Sequence, residues 1–354
     1  MLLRSPLDAE HRALGAKMGA FAGWDMPISY GGTVGEHTAV RERVGIFDVS
    51  HLGKVLVSGE GAAAFLDTQL TNRMADLSVG RARYSLICNG DGGIVDDLIV
   101  YGDEQSEFLV VPNAANRDRV YEQLRAAAPS GVKLRVIDWT TLAVQGPRSR
   151  EIVESLYPSA EGLGYMHTVR DDDVLIARSG YTGEHGYEVF TRPDDAVETW
   201  RRMLSAVRDA GGEPAGLAAR DTLRLEMGYP LHGNDIDVHT MPAEADLMWA
   251  VRLDARQFPG HDAIASTEPR KRLIGLRMTD KLIPRHGYAV RREGRSIGTI
   301  TSGTFSPTLR MGIALASVEP GSVSQGDVVE IDVRGKGGSA EVVRPPFVDR
   351  SPKV

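Results

Sequence analysis

The segment Asn89–Tyr101, NGDGGIVDDLIVY, joins a polar turn to an apolar run that contains two adjacent carboxylates. Asn and Gly tolerate the positive φ of hairpin turns, and the run from Ile94 has the composition of a β-strand. Because side chains alternate between the faces of a strand, Asp96 and Asp97 point in opposite directions. Whichever face of this strand is buried therefore carries an acid.

Further strands and a helix surround this turn. ARYSLIC at Ala82 precedes it, EFLVVP at Glu107 follows it, and KVLVSG at Lys54 lies further upstream. The segment NAANRDRVYEQLRAAA, from Asn113, has the composition of a helix. These elements predict an α+β domain of hairpin strands with flanking helices over residues 51–138.

The remainder of the chain predicts one long helix and then a region of short strands. PDDAVETWRRMLSAVRDAGG predicts a helix that begins at Pro193 and ends at Gly211. The apolar stripe that we expect this helix to bury consists of Val197, Trp200, Leu204 and Val207. After about residue 270, short strands alternate with glycine turns, which is typical of a small all-β domain. The predicted fold class is α+β.

Length and composition indicate a globular protein of several domains, without the features of a nucleic-acid-binding or membrane-spanning protein. The 354 residues predict two or three domains, and the net charge of −7 gives no sign of nucleic-acid binding. The apolar runs are too short to span a bilayer, and we expect no secretory signal at the N-terminus. The single cysteine, Cys88, excludes an intrachain disulfide and a metal site formed by a cluster of cysteines. It fits a reducing cytoplasm and is expected to be a buried thiol.

Two interpretations stand for the aspartates. A buried carboxylate without a partner costs several kcal/mol or shifts its pKa. One interpretation is a salt bridge to an arginine, or a position on an edge strand with one solvent-exposed face. The other is a site carboxylate that faces a basic or amide-bearing ligand. The residues by themselves indicate a soluble α+β enzyme with a carboxylate-centred pocket.

Three other features are candidates for chemistry. In SGYTGEHGYE, Ser179–Glu188, the alternatives are a turn-rich loop and a pocket wall in which Tyr181 and Glu188 face a flat, hydrogen-bonding ring. In LHGNDIDVHT, from Leu231, strand alternation would not bring both His and both Asp together, so we expect a structured turn and no metal. His51 is a candidate general base, although no serine or cysteine nucleophile motif accompanies it.

Eight stretches follow one another in the order of a known family. They are GWDMPISY at Gly23, VGIFDVSHLGKV at Val44, CNGDGGIVDDLIVY at Cys88, NAAN at Asn113, QGPRS at Gln145, SGYTGEHGYE at Ser179, PAGLAARDTLRLEMGYPLHGNDID at Pro214 and ITSGTFSPTLRMGIALASV at Ile300. Across nearly the full length, the chain resembles the T-protein (aminomethyltransferase) family of the glycine cleavage system.

The resemblance implies a three-domain cloverleaf of the T-protein, folate-binding type with a small C-terminal β-barrel. It implies a discontinuous folate-binding core domain at residues 1–50 and 139–245, and an α+β hairpin-and-helix domain at 51–138. A connecting segment at 246–270 leads to the barrel domain at 271–354.

The resemblance also implies a reaction. An aminomethyl group on the lipoyl arm of the H-protein loses ammonia, and its one-carbon unit passes to tetrahydrofolate, giving 5,10-methylene-tetrahydrofolate. Tetrahydrofolate is then a co-substrate, without metal or flavin, and the lipoylated H-protein is the partner, without nucleic acid or membrane. We expect a cytoplasmic enzyme.

Matching the family motifs residue by residue assigns the site. Asp97 matches the family's key aspartate. The implied folate-binding residues are Tyr84, Tyr101, Asn113, Tyr181, Glu188 and Arg220, and further candidates are Asp96, Leu52, Tyr165, Trp249 and Arg350. Glu188 suits the N–H donors of a pterin, and Arg220 suits a carboxylate such as the glutamyl tail. The alternative for Arg220 is a bridge to Asp221 or Glu226.

Of the rival functions that share this fold, two are kept as alternatives. One is a folate-dependent O- or S-demethylase, and the other is a non-catalytic folate-binding accessory protein for iron–sulfur assembly. The Asp pair and the SPTL segment fit the T-protein better, and the Lys-Gly-Cys motif of the accessory proteins is absent from the sequence.

Overall fold

The structure is a computed structural model that describes residues 1–104, 107–254 and 256–353. The chain divides into two compact units. The first comprises Met1–Ile87, Asp96–Arg220 and the C-terminal residues from Ser351, and the second comprises Cys88–Val95 and Asp221–Arg350. The domain limits predicted from the sequence stay predictions.

Helices and strands alternate irregularly along the described residues. The α-helices are α1 (Asp8–Ala13), α2 (Thr33–Glu42), α3 (Ala62–Gln69), α4 (Arg117–Ala127), α5 (Ser149–Leu156), α6 (Ala196–Asp209), α7 (Leu217–Glu226) and α8 (His261–Ser266). Single 3₁₀ turns cover Ala114–Asn116, Pro158–Ala160, Pro193–Asp195, Pro242–Ala245 and Met248–Ala250. In the described part of the chain, no helix combines the length and apolar character needed to cross a membrane.

The strands are more numerous than the helices. They are β1 (Leu3–Arg4), β2 (Lys17–Phe21), β3 (Trp24–Ser29), β4 (Gly45–Asp48), β5 (Val55–Ser58), β6 (Ala82–Cys88), β7 (Ile94–Glu104), β8 (Glu107–Val111), β9 (Lys133–Val136), β10 (Thr140–Gln145), β11 (Thr168–Asp171), β12 (Val174–Ala177), β13 (Gly186–Thr191), β14 (Glu213–Pro214), β15 (Arg272–Met278), β16 (Ala289–Arg292), β17 (Arg295–Ser306), β18 (Met311–Val318), β19 (Val328–Val333) and β20 (Lys336–Val343).

Three sheets are present in the described residues of the first unit. A small sheet has the order β1-β3-β2, a six-stranded sheet has the order β11-β12-β13-β10-β4-β14, and a five-stranded sheet has the order β6-β7-β8-β5-β9. An apolar cluster contains Tyr101 and Leu109 of the five-stranded sheet together with Leu175 and Phe190 of the six-stranded sheet. This cluster joins the two sheets that carry most of the predicted site residues.

The second unit contains a closed barrel with the order β15-β18-β17-β16-β19-β20. Alternate residues of its strands, such as Ile274, Leu276 and Met278 of β15, are buried in the barrel core because strand side chains alternate between faces. The predicted all-β C-terminal region is confirmed.

The quoted turn is a hairpin turn, as predicted, between β6 and β7. Gly92 adopts φ +83°, a value that favours glycine. The expectation that Asn89 also has positive φ is wrong. Its side-chain oxygen instead accepts hydrogen bonds from the backbone N–H groups of Asp91 and Gly93, at 3.0 and 2.9 Å, which tightens the turn.

The helix predicted from Pro193 is confirmed, with its first turn in the 3₁₀ form and its α-helical part from Ala196. Trp200 and Val207 of its expected stripe are fully buried, Leu204 is nearly so, and Val197 packs at the edge of the same core. The helix predicted from Asn113 becomes α-helical only at Arg117.

Candidate functional site

Strand β7 presents its two aspartates to opposite sides, as the alternation predicts. Ile99 and Tyr101, on the face of Asp97, belong to the apolar cluster between the two sheets. The Tyr101 ring meets Phe190 of β13 edge to face, with ring centroids 5.3 Å apart. The face that carries Asp97 is therefore the one directed toward β13.

Asp96 is fully buried and bonded within the fold. The backbone N–H of Asn113 donates to its Oδ2 at 2.8 Å, and the side-chain amides of Asn113 and Asn116 donate to its Oδ1 at 2.9 and 2.6 Å. Burial and the charge of Asp97 raise the pKa of Asp96, while these donors act in the opposite direction. A salt bridge to arginine is thus the wrong interpretation for Asp96, whose partners are amides.

Asp97 is half-buried and held at both carboxylate oxygens. The Tyr84 hydroxyl donates to Oδ2 at 3.1 Å, and the Asn113 amide donates to Oδ1 at 2.9 Å and to the Asp97 carbonyl at 3.0 Å. Burial and the charge of Asp97 raise the pKa of Tyr84 well above its usual range, so this phenol stays a donor. Asn113 lies between the two acids and holds both.

Glu188, on β13, is the centre of a second group of hydrogen-bonded side chains, separate from the one around Asp96 and Asp97. Its Oε2 accepts hydrogen bonds from Tyr101 Oη at 3.0 Å and from Ser179 Oγ at 2.6 Å. Tyr165 lies within electrostatic reach of Glu188, and burial raises the pKa of Tyr165. Two hydrogen bonds to one oxygen thus orient the Glu188 carboxylate.

Arg220, on α7, makes no ion pair with any described residue. Its guanidinium lies over the ring of Tyr181, with Cζ 4.8 Å from the ring centroid, and its Nη1 is buried without a hydrogen-bond partner. Burial lowers the pKa of Arg220, and the nearby charge of Glu188 opposes this shift. A buried guanidinium nitrogen without a partner is the feature expected where a ligand supplies the acceptor.

The predicted alternative partners of Arg220 are engaged elsewhere. Asp221 forms an ion pair with Arg224 at 2.8 Å, and Glu226 accepts a hydrogen bond from the Thr308 hydroxyl at 2.8 Å. The bridge from Arg220 to either acid, considered from the sequence, is therefore wrong.

A buried loop between β4 and β5 borders the same region. Leu52 packs against the apolar cluster that contains Tyr101. Lys54 is 2% exposed, and its Nζ donates to the Ser50 carbonyl at 2.8 Å. Burial lowers the pKa of Lys54 to about 7, although the charges of Asp48, Asp138 and Glu188 act to raise it. A buried, weakly bonded lysine is an unusual feature that the sequence did not indicate.

Sequence reasoning also missed two residues that orient the site acids. Asn116 donates to Asp96, and Ser179 donates to Glu188. The NAAN spacing contained the signal for Asn116, since residues three apart share one side of a helical turn with Asn113. No local signal indicated Ser179, because it lies in the loop after β12 and its partner, Glu188, lies on β13.

The predicted site residues fall in both units. Those of the first unit that the contacts above connect are Tyr84, Asp96, Asp97, Tyr101, Asn113, Tyr181, Glu188 and Arg220, with Leu52 and Tyr165 beside them. Trp249 and Arg350 belong to the second unit, where Trp249 is 58% exposed. Their part in a site stays a prediction.

The LHGNDIDVHT segment is a structured turn, as predicted. Asp237 accepts hydrogen bonds from His239 N and Thr240 Oγ1, and Asp235 accepts one from Arg224 at 2.9 Å. His232 Nε2 lies 3.1 Å from the carbonyl oxygen of Ile94. Within the ranges the structure describes, no three side chains of metal-ligating type form a group that could hold an ion.

Comparisons with known proteins cover nearly the whole chain. Residues 7–255 match the model of the GCVT N-terminal domain, and residues 271–349 match that of the glycine cleavage T-protein C-terminal barrel domain. An aminomethyltransferase from Mycolicibacterium paratuberculosis (strain ATCC BAA-968 / K-10) is 48% identical over 98% of this chain and 97% of its own. One from Parafrankia sp. (strain EAN1pec) is 48% identical over 99% of both. The crystal structure of glycine cleavage system aminomethyltransferase T from Bartonella henselae superposes with a TM-score of 0.94, at 34% identity over 99% of both chains.

Proposed function

The chain belongs to the glycine cleavage T-protein family, and from this premise we propose that the acids and Arg220 of its first unit bind tetrahydrofolate and direct a one-carbon transfer to it. The expected T-protein type of α+β fold is confirmed by the match to the Bartonella henselae structure. The activity is that of an aminomethyltransferase, in agreement with relatives that align along their full length. The demethylase and iron–sulfur accessory alternatives are not favoured by these relatives.

The observation that best supports folate as the ligand is that Arg220 and Glu188 lie within electrostatic reach of each other in the same site. Arg220 offers a buried N–H without an acceptor among the described residues, and Glu188 offers a carboxylate that Tyr101 and Ser179 orient. Tetrahydrofolate supplies both complements, because its pterin ring carries N–H donors beside a carbonyl and its tail carries carboxylates. The residues present therefore fit this substrate.

Asp97 is the residue to which we assign the chemistry. Attack by a folate nitrogen on the aminomethyl carbon develops positive charge on that nitrogen. A carboxylate held by Tyr84 and Asn113 orients the ring and stabilises this charge without reorganising during the reaction. The same carboxylate takes up or relays the proton that the nitrogen releases.

Binding of a reduced folate tests this site directly. Titration calorimetry with 5-formyl-tetrahydrofolate should show one site, and the folate should stabilise the protein by about 2.7 kcal/mol at a hundredfold excess over its Kd. Arg220→Met should weaken this binding, whereas the exposed Arg119→Met should not. A folded wild-type protein that shows neither heat nor stabilisation contradicts the proposed site.

We further propose that the lipoylated H-protein is the partner, met on a locally basic surface despite the net charge of −7. Attraction between such a surface and an acidic carrier accelerates encounter and is screened by salt. The apparent second-order rate with aminomethyl-loaded H-protein should therefore fall as salt is added. A rate that stays flat from low to high ionic strength contradicts the charged surface but not the reaction.

The cytoplasm is the compartment that we propose for this reaction. Cys88 is the single cysteine of the sequence, and it is buried, which raises the pKa of its thiol to about 12. A chain without disulfides suits a reducing compartment.

A further inference from the structure

We propose that His51 is a ligand-binding residue of the same site, and that Nδ1 of its neutral imidazole forms a hydrogen bond with the pterin ring of the substrate. This role of His51 rests on the proposed function, because it assumes that the ligand is a folate.

His51 lies in a buried loop without regular secondary structure, between β4 and β5. Loops normally run over the surface, because a buried loop must find partners for its polar groups without help from water. His51 is nonetheless only 4% exposed, and the ring of Phe21 meets its imidazole edge to face at 5.3 Å. The imidazole is thus enclosed and held by packing.

No polar contact accounts for this burial. Nδ1 of His51 is out of reach of solvent and has no hydrogen-bond partner among the described residues. Buried polar atoms in folded proteins almost always have a partner, since leaving one without costs free energy. The exceptions call for an explanation, and an acceptor or donor supplied by a substrate is one.

The neighbourhood of His51 points to the same ligand as Arg220. Burial, together with the charges of Arg220 and Lys54, lowers the pKa of His51 to about 3, while Asp48 opposes the shift. Nη1 of Arg220 is the other buried nitrogen here without a partner. Two side chains within electrostatic reach of each other therefore each lack one hydrogen bond, and a single ring lying between Arg220 and the loop would complete both.

The chemistry of a neutral imidazole suits this position. It offers one donor and one acceptor nitrogen, which matches the alternating donors and acceptors along the edge of a pterin. A protonated imidazole would repel Arg220. The general-base role considered from the sequence stays a prediction, and the lowered pKa makes His51 a weak base.

The test compares His51→Leu with a matched control. Leucine fills similar space without polar atoms, and the buried Nδ1 that it removes has no hydrogen bond with any described residue. The melting temperature of the ligand-free protein should therefore stay the same or rise. The affinity for 5-formyl-tetrahydrofolate, measured by titration calorimetry, should fall about two- to tenfold, as expected for one neutral hydrogen bond.

Thr191→Val is the control. Thr191 Oγ1 is also buried without a partner, but Thr191 lies on the face of β13 opposite to Glu188. This variant should leave the folate affinity unchanged. His51→Asn, which restores polar atoms near the position of Nδ1, should recover part of the affinity lost in His51→Leu.

The outcomes separate His51 from the proposed function. A wild-type protein that does not bind the folate overturns both. A wild-type protein that binds it, beside a His51→Leu variant of equal affinity, overturns the role of His51 alone. A His51→Leu variant that melts far below the wild type also overturns it, because His51 then has a structural partner in the ligand-free protein. In turnover assays, a raised KM for the folate with kcat unchanged supports binding.

Discussion

Asp97→Asn should lower turnover about 10²–10³-fold and leave the protein folded, as is typical when one preorganised electrostatic group is removed. Asparagine keeps the size of the side chain. Its oxygen can accept from the Asn113 amide while its nitrogen donates to the Tyr84 hydroxyl, which can also act as an acceptor, so the local hydrogen bonds largely persist. The substitution removes the negative charge of Asp97, which in our proposal stabilises the transition state. The measurement is formation of methylene-tetrahydrofolate from aminomethyl-loaded H-protein.

Asp96→Asn is the matched control, since it makes the same change one residue away on the other face of β7. One end of the new amide would meet the Asn113 N–H that now donates to Asp96 Oδ2, so a donor would face a donor. We expect a loss of about 1–3 kcal/mol in the free energy of unfolding with most of the turnover retained. Near wild-type turnover in Asp97→Asn, beside a stably folded but inactive Asp96→Asn, would reverse the assignment of the catalytic acid.

Lys54→Met should stabilise the protein at pH 7. Lys54 has one hydrogen bond and is almost completely buried, and burial lowers its pKa from an ordinary 10.5 to about 7. At about 1.4 kcal/mol per pH unit, keeping this lysine buried at pH 7 costs up to roughly 4 kcal/mol. Methionine has a similar length and no charge, so it fills the space without this cost.

The stability difference between the wild type and Lys54→Met should change with pH in a definite direction. Between pH 7 and 10.5 the unfolded chain binds the Lys54 proton more strongly than the folded chain does, so the wild type gains stability as the pH rises. Denaturant unfolding of both proteins should therefore show the largest difference at pH 7 and a small one near pH 10. Lys133→Met, at an exposed position of β9, should show no such trend. A Lys54→Met variant that is less stable than the wild type at pH 7 contradicts a costly buried lysine.

The local sequence determined those secondary-structure elements that depend on interactions between residues close together in the chain. The hairpin around Asn89–Gly93, the strand with its two aspartates and the helix with buried Trp200 follow from turn chemistry and from residue periodicity. Alternation alone placed Asp97 and Tyr101 on one face of β7. The site residues were predicted by matching family motifs and not from periodicity, because residues that line a pocket do not recur at the regular spacing of a strand or a helix.

Only the tertiary structure decided what the site residues contact. Tyr101 and Glu188 lie 87 positions apart in the chain, and their hydrogen bond exists because two separate sheets share one apolar cluster. The same holds for Asn113, which sequence matching assigned to folate but whose amide holds Asp96 and Asp97 in the fold.

Burial of polar groups was equally invisible in the sequence. A lysine or histidine in a short loop is usually solvated, so nothing local distinguished Lys54 or His51 from surface residues. Their desolvation depends on which sheets and loops close around them, as does the absence of a partner for Arg220. Periodicity reports which way a side chain points, whereas the partners and pKa of a buried group depend on charges and dipoles brought close by long-range packing.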